Sequence, residues 1–274
     1  MIRGAIRLLS ESDERILHVI RERILSWGEA ARPGLERLRE HADPRIRSRV
    51  RRLLRELDVR ACLARFAELD LGLARGGSSL LKGCAILSQM TYSFAADEQR
   101  LARWIAEEAA IVRERAGARG LPARARVLAE RLAGERGLRG DGADGSRIGH
   151  VSVDRVLLGG LGIPVSLSLI YLLVAREAGF SAAGVAMPDH FLVRLHGNRP
   201  ILLDPFHGGR TVTKVDCIRY LKRTGRAALR QRLRDLSDRE VLAHYLRALR
   251  GAARWPVGEL RDSLGNALWH LEAN

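Results

Sequence analysis

Apolar residues recur at helical spacing through most of the chain, and one region breaks that rhythm. Ser12 fits the cap of a helix running to about Trp27, with Ile16, Leu17, Ile20 and Ile24 on one face. Asp43-Pro44 opens a second helix, because proline is tolerated at the first helical position, and Ile46, Val50, Leu53 and Leu54 follow at helical intervals. Further helices are predicted over Leu80–Tyr92, from Asp97 to about Ala116, and over Leu121–Ala133. Another starts at Thr213 or Asp216, and a pair spans Ser237–Leu271 with a break near Trp255-Pro256. In that last pair Leu242, Tyr245, Leu246 and Leu249 face Leu260, Leu264, Leu268 and Trp269.

The exception is the stretch Gly162–Gly209. Pro164–Ala178 is apolar nearly all round and is closed by Gly179. At 15 residues it is too long for a strand and too short for a membrane span, so it reads as a buried central helix. Three strand-like pieces follow: Ala182–Met187, His190–His196 up to the Gly197-Asn198 turn signal, and Pro200–Asp204. The fold class this predicts is α+β: mostly helical, with a small antiparallel sheet packed on the buried helix. Three regions are expected: a helical hairpin over 1–75 that resembles a HEAT-type unit, a core over 76–236 and a C-terminal helical pair over 237–274.

The strand ends carry Asp189, His190 and Asp204. A His on one strand and an Asp on the next can form a pair in which the carboxylate fixes the imidazole tautomer. The same residues can also be ordinary strand-end caps. The Gly159–Gly162 cluster is no phosphate loop, since it lacks the Lys-Ser/Thr ending.

Three motifs in order are similar to the core of the transglutaminase-like superfamily, which has a papain-like fold. They are Gly162-Ile163-Pro164-Val165-Ser166-Leu167, Pro188-Asp189-His190-Phe191-Leu192-Val193-Arg194, and Asp204-Pro205-Phe206-His207-Gly208-Gly209. More closely they resemble the SirB-type bacterial branch, whose second motif reads Pro-Gly-His and whose C-terminus often carries a tetratricopeptide-like helical pair. The resemblance implies that His190 and Asp204 stand at the catalytic base and its orienter. It puts Pro164 where the nucleophilic cysteine belongs, and proline has no nucleophile. Ser166, two residues further round the helix, is the substitute closest in sequence. Pro164, Asp189, Arg194 and His207 would line a ligand cleft. The chain departs from the branch at His150-Val151, where members carry Asn-Ser.

Composition adds a second possibility. The 274-residue chain has a net charge of +15, and nearly all of its basic residues are arginine. An arginine surface can bind nucleic acid, but segments such as Glu36-Arg37-Leu38-Arg39-Glu40 read as solvated ion-pair faces. Cys62, Cys84 and Cys217 form neither a disulfide framework nor a zinc motif, so no metal or other cofactor is expected. Without a membrane-length apolar run or a signal-peptide core, a cytoplasmic protein with no membrane partner is expected. The leading expectation is a non-catalytic, regulatory module that binds a protein or peptide. The alternatives are an acyl-transfer or peptide-hydrolysing enzyme with an unconventional nucleophile, and a nucleic-acid-binding protein.

Overall fold

The computed structural model describes residues 8–70, 78–91, 98–142, 148–225, 233–252 and 258–273. The predicted boundary between residues 75 and 76, the helix ends at Tyr92 and Asp97 and the Trp255-Pro256 break lie outside these residues. The chain divides into two compact units, Met1–Arg65 and Phe66–Asn274.

In the first unit, α1 (Glu14–Ser26) is capped by Asp13, whose side chain accepts from the Arg15 N–H, rather than by Ser12. A short α2 (Arg32–Glu36) leads to α3 (Pro44–Ala67), with proline first as expected and Asp43 accepting from the Arg45 N–H at 2.8 Å. Ile20, Ile24, Leu35, Val50, Leu53 and Leu57 form one buried cluster. Ile16 is 44% exposed, so the apolar face of α1 is narrower than predicted and begins a turn later.

The second unit opens with α4 (Ser78–Thr91), α5 (Glu98–Ala116) and α6 (Leu121–Ala129), the last running into a π-type turn over Glu130–Glu135. A two-residue strand β1 (Arg139–Gly140) pairs in parallel with β2 (Leu161–Gly162), and between them lie α7 (Ile148–Val151) and α8 (Val153–Gly159). The central helix α9 (Pro164–Glu177) follows, with Val165–Ala175 buried throughout. An apolar surface on every side demands neighbours on every side, and α9 packs on α5, α8, β3, β4 and α11.

The sheet is antiparallel, in the order β3 (Ala182–Met187), β4 (His190–Leu195), β5 (Ile201–Asp204), β6 (Arg210–Val212). The three predicted strands are present with boundaries shifted by at most a residue, and β6 is additional. Ser168 Oγ donates to the Phe191 carbonyl at 2.9 Å, and the Arg176 guanidinium to the Ala182 carbonyl at 3.0 Å, fastening α9 to the sheet. On one face of the sheet Val185, Leu192 and Leu202 meet Cys217 of α10 (Lys214–Arg223). Helix α10 starts with a reciprocal cap: Thr213 Oγ1 accepts from the Asp216 N–H, and Asp216 accepts from the Thr213 N–H. The C-terminal helices α11 (Asp238–Ala252) and α12 (Gly258–Ala273) pack on each other. Leu242, Tyr245, Leu246, Leu249, Leu264 and Leu268 are buried as predicted, but Trp269 is 65% exposed and lies off the apolar seam. No helix among the described residues is long and apolar enough to cross a membrane.

Candidate functional site

Two tight turns set the site. Strands β3 and β4 are joined by Pro188-Asp189 alone, so His190 opens β4 opposite Met187. Asp189 takes φ 56°, the left-handed value a type II turn requires at its second central residue. Glycine meets that requirement without steric penalty, and aspartate meets it at a small one. Tyr220 of α10 steadies the turn by donating from its hydroxyl to the Pro188 carbonyl at 3.2 Å. At the far end of β5, Asp204 leads into a 3-10 turn, Pro205–His207, which Gly208 and Gly209 close with φ near 73° and 72°.

These turns bring Asp204 between two imidazoles. His190 Nε2 lies 2.9 Å from Oδ1, and His207 Nδ1 lies 2.7 Å from Oδ2. The His207 backbone N–H donates to Oδ1 at 3.3 Å, and the Arg210 guanidinium stands 3.3 Å from Oδ2. Asp204 is 2% exposed. Burial pushes its carboxyl pKa up, but the hydrogen bonds and charges of His190 and His207 outweigh burial and hold it at about 2. With Nε2 of His190 on the carboxylate, Nδ1 is the nitrogen left for other chemistry. Phe206 packs edge-on against both imidazoles, with ring centroids 5.8 Å from His190 and 5.1 Å from His207. Only glycine at position 140 allows this, since a Cβ there would lie 2.5 Å from the Phe206 ring.

The other predicted site residues are placed as follows. Pro164 is the first residue of α9, and the capping position before it, Ile163, supplies no side-chain hydrogen bond. Ser166 is fully buried, and its hydroxyl donates to the Val151 carbonyl at 2.5 Å, so its proton is engaged in the core. Arg194 is not brought to the cluster; it pairs with Asp235 and donates to the Leu233 carbonyl at 3.1 Å. Asp189 is exposed at the turn tip. The thiols of Cys62, Cys84 and Cys217 are all buried, and burial raises each pKa, the opposite of what a nucleophile needs.

Sequence reasoning missed a second His–carboxylate pair. His150 Nδ1 lies 2.7 Å from an Asp141 carboxylate oxygen. The Ile163 N–H donates to the His150 carbonyl and the Asp141 N–H to the Gly162 carbonyl, so this pair flanks the start of α9. Its one sequence signal was the departure from the branch pattern at His150. Also unforeseen is a cavity of about 770 Å³ between the β3–β4 turn and helices α10, α11 and α12. Met187, Leu221, Leu236 and Leu271 line it, with Arg234, Arg239, Glu240 and Arg247 around them. Arg234 pairs with Glu240, Arg247 with Glu272 at 2.5 Å, and Arg239 donates to the Leu271 carbonyl at 3.4 Å. His244 also lines it, and burial, with Arg247 nearby, lowers its pKa.

Comparison with known proteins bears on the same region. The description "Transglutaminase-like superfamily" matches residues 97–247, more than half of the 274-residue chain. A UPF0162 protein of Xylella fastidiosa is 41% identical over 97 residues, 32% of this chain and 34% of that protein. A UPF0162 protein of Vibrio cholerae is 43% identical over 58 residues, 20% of this chain and 22% of its own. The human F-box only protein 21 is 32% identical over 77 residues, 25% of this chain and 12% of its own. The chain thus spans about a third or less of the length of these curated relatives. No solved structure matches. With the matched span covering α5 through most of α11, and the site within it, the chain belongs to the transglutaminase-like superfamily.

Proposed function

We propose that this protein is a non-catalytic member of its superfamily, of the SirB-type bacterial branch, and that it binds a protein or peptide without cutting it. The observation that carries the reading is chemical. Acyl transfer by the superfamily's route needs a thiolate within hydrogen-bond reach of the base. Here the His190–Asp204 pair is present at 2.9 Å, while the three thiols are buried and burial raises their pKa values, away from the thiolate. Proline opens the helix at the position the motif alignment assigns to the cysteine. A base without a nucleophile still recognises: Nδ1 of His190 accepts a hydrogen bond from an amide or hydroxyl of a ligand. The neighbouring cavity, apolar within and charged around, has the character of a peptide-binding cleft.

The test is turnover. The full chain is assayed for incorporation of a fluorescent primary amine into a glutamine-bearing protein, and for cleavage of a peptide library. Rates equal to those of His190→Ala are expected. Turnover present in the wild type and lost in His190→Ala would sink the binding-module reading and favour an enzyme with an unconventional nucleophile.

A further inference from the structure

We propose that His190, Asp204 and His207 form a binding site for one divalent transition-metal ion of the zinc class, with an open coordination position. Each residue offers one ligand atom, and these atoms lie within 4.8 Å of one another. A zinc ion holds imidazole nitrogen and carboxylate oxygen at roughly 2.0–2.2 Å, so neighbouring ligands in a tetrahedral shell stand about 3.3–3.5 Å apart. The two nitrogen–oxygen separations, 2.9 Å to Oδ1 and 2.7 Å to Oδ2, need to open by roughly 0.4–0.8 Å around an ion. Two imidazoles and a carboxylate suit zinc, cobalt(II) or iron(II) better than calcium or magnesium, which take oxygen ligands. On binding, the ring nitrogens facing the carboxylate give up their protons, either to the other ring nitrogen or to solvent.

Three further observations separate this cluster from a simple base and its orienter. The orienter of one base needs one imidazole, whereas Asp204 engages a second through its other oxygen. The cluster is buried on one side and open on the other: side-chain exposure is 3% at Asp204 and 48% at His207. That gives an ion an entry path and leaves a coordination position toward solvent, the pattern of open rather than closed zinc sites. Lastly, the Tyr171 hydroxyl is fully buried and has no hydrogen-bond partner among the described residues. It lies against Gly209, 2.8 Å from where a Cβ would stand, and it feels the negative charge of Asp204. A buried hydroxyl of this kind calls for a partner, and a water on a metal at Asp204 supplies one. Arg210 holds the counter-charge at Oδ2, but its side chain is 61% exposed and free to swing into water when an ion arrives.

The untagged full chain, stripped with EDTA and dialysed, is titrated with zinc chloride by calorimetry and with cobalt chloride by visible spectroscopy. One equivalent per chain is expected, with the d–d bands of four- or five-coordinate cobalt. His207→Ala should weaken zinc binding by at least about 10- to 100-fold, the loss that even an outer-shell change produces. Asp204→Asn should do the same, with circular dichroism confirming that both variants fold. Arg210→Gln, which removes the competing cation, should leave the affinity unchanged or raise it. Absence of saturable binding overturns the proposal, as does zinc binding that both ligand variants retain, or that Arg210→Gln weakens. Peptide binding measured in EDTA tests the binding-module reading separately.

Discussion

Two buried carboxylates in the second unit make an instructive pair. Glu108 on α5 is fully buried and is held by two guanidiniums: Arg131 Nε at 2.7 Å and Arg136 Nε at 2.8 Å. Asp204, 2% exposed, is held by two imidazoles at 2.9 and 2.7 Å. The geometry is alike and the chemistry is not. Guanidiniums stay charged at any pH a folded protein meets, so the Glu108 cluster has one state and serves to join α5 to the turn after α6. An imidazole can carry its hydrogen on either ring nitrogen and can ligate a metal, so the Asp204 cluster can take more than one arrangement. A buried charge surrounded by permanent partners is a structural joint. One surrounded by partners that can change tautomer and ligate is a candidate site.

The largest effect that tests this contrast is Glu108→Ala. It leaves Arg131, mostly buried, with Glu135 as its remaining carboxylate and removes the carboxylate that Arg131 and Arg136 share, and it should lower stability by about 3 kcal/mol in urea unfolding. Ligand or metal binding at His190 should be unchanged; a loss there would mean the two clusters are coupled. Next comes the pH dependence of Asp204 in the metal-free protein. Its carboxyl pKa is lowered from 3.8 to about 2 in the folded state, so its contribution is complete above the unfolded value. That contribution, about 2 kcal/mol, fades as pH falls from about 4 toward 2. Asp204→Asn should remove this component of the acid limb of the stability curve, and an unaltered limb would mean the imidazoles do not stabilise the carboxylate. A smaller effect is expected from His207→Ala, about 1 kcal/mol, because its ring is half exposed. That loss should be accompanied by a rise in the Asp204 carboxyl pKa, followed by carbon-detected NMR. The smallest is Asp189→Gly, which relieves the left-handed turn and should raise stability by about 0.5 kcal/mol in thermal unfolding. A decrease would show that the Asp189 side chain contributes more than its backbone strain takes away.

Much of the site was legible because it is written locally. His190 and Asp204 sit at the ends of strands whose residues read as strands, and the chain turns where Pro188-Asp189 and Asp204-Pro205 say it should. The apolar run of α9 announced a helix with no solvent face, and Val165–Ala175 are buried in full. What escaped was what depends on distant neighbours. His207 was placed at a cleft rim, whereas a 3-10 turn folds it back onto the carboxylate three residues before it. Arg194 was placed at that rim too, but Asp235, far along the chain, takes it. His150 and Asp141 meet because main-chain bonds tie both segments to Gly162-Ile163, beside a parallel β1–β2 ribbon whose two-residue strands leave no periodicity to read. Trp269 looked like a core residue by type alone; helical phase turned it outward. Many arginines likewise proved to be committed to carboxylates, as in Arg21–Glu56, Arg32–Asp58 and Arg176–Asp238.

The main-chain contact between Gly184 and Leu236 has a consequence for how this molecule survives among copies of itself. Strand β3 is an outer strand, and its free amides and carbonyls would invite another chain to add on. The Leu236 N–H donates to the Gly184 carbonyl at 2.9 Å, laying the approach to α11 across the middle of that border. The opposite border, β6, is three residues long and begins with a solvent-facing arginine. Neither border offers the long, flat, uncharged ribbon from which intermolecular sheets grow. Loosening the 233–238 connector would bare the middle of the β3 border and remove that protection.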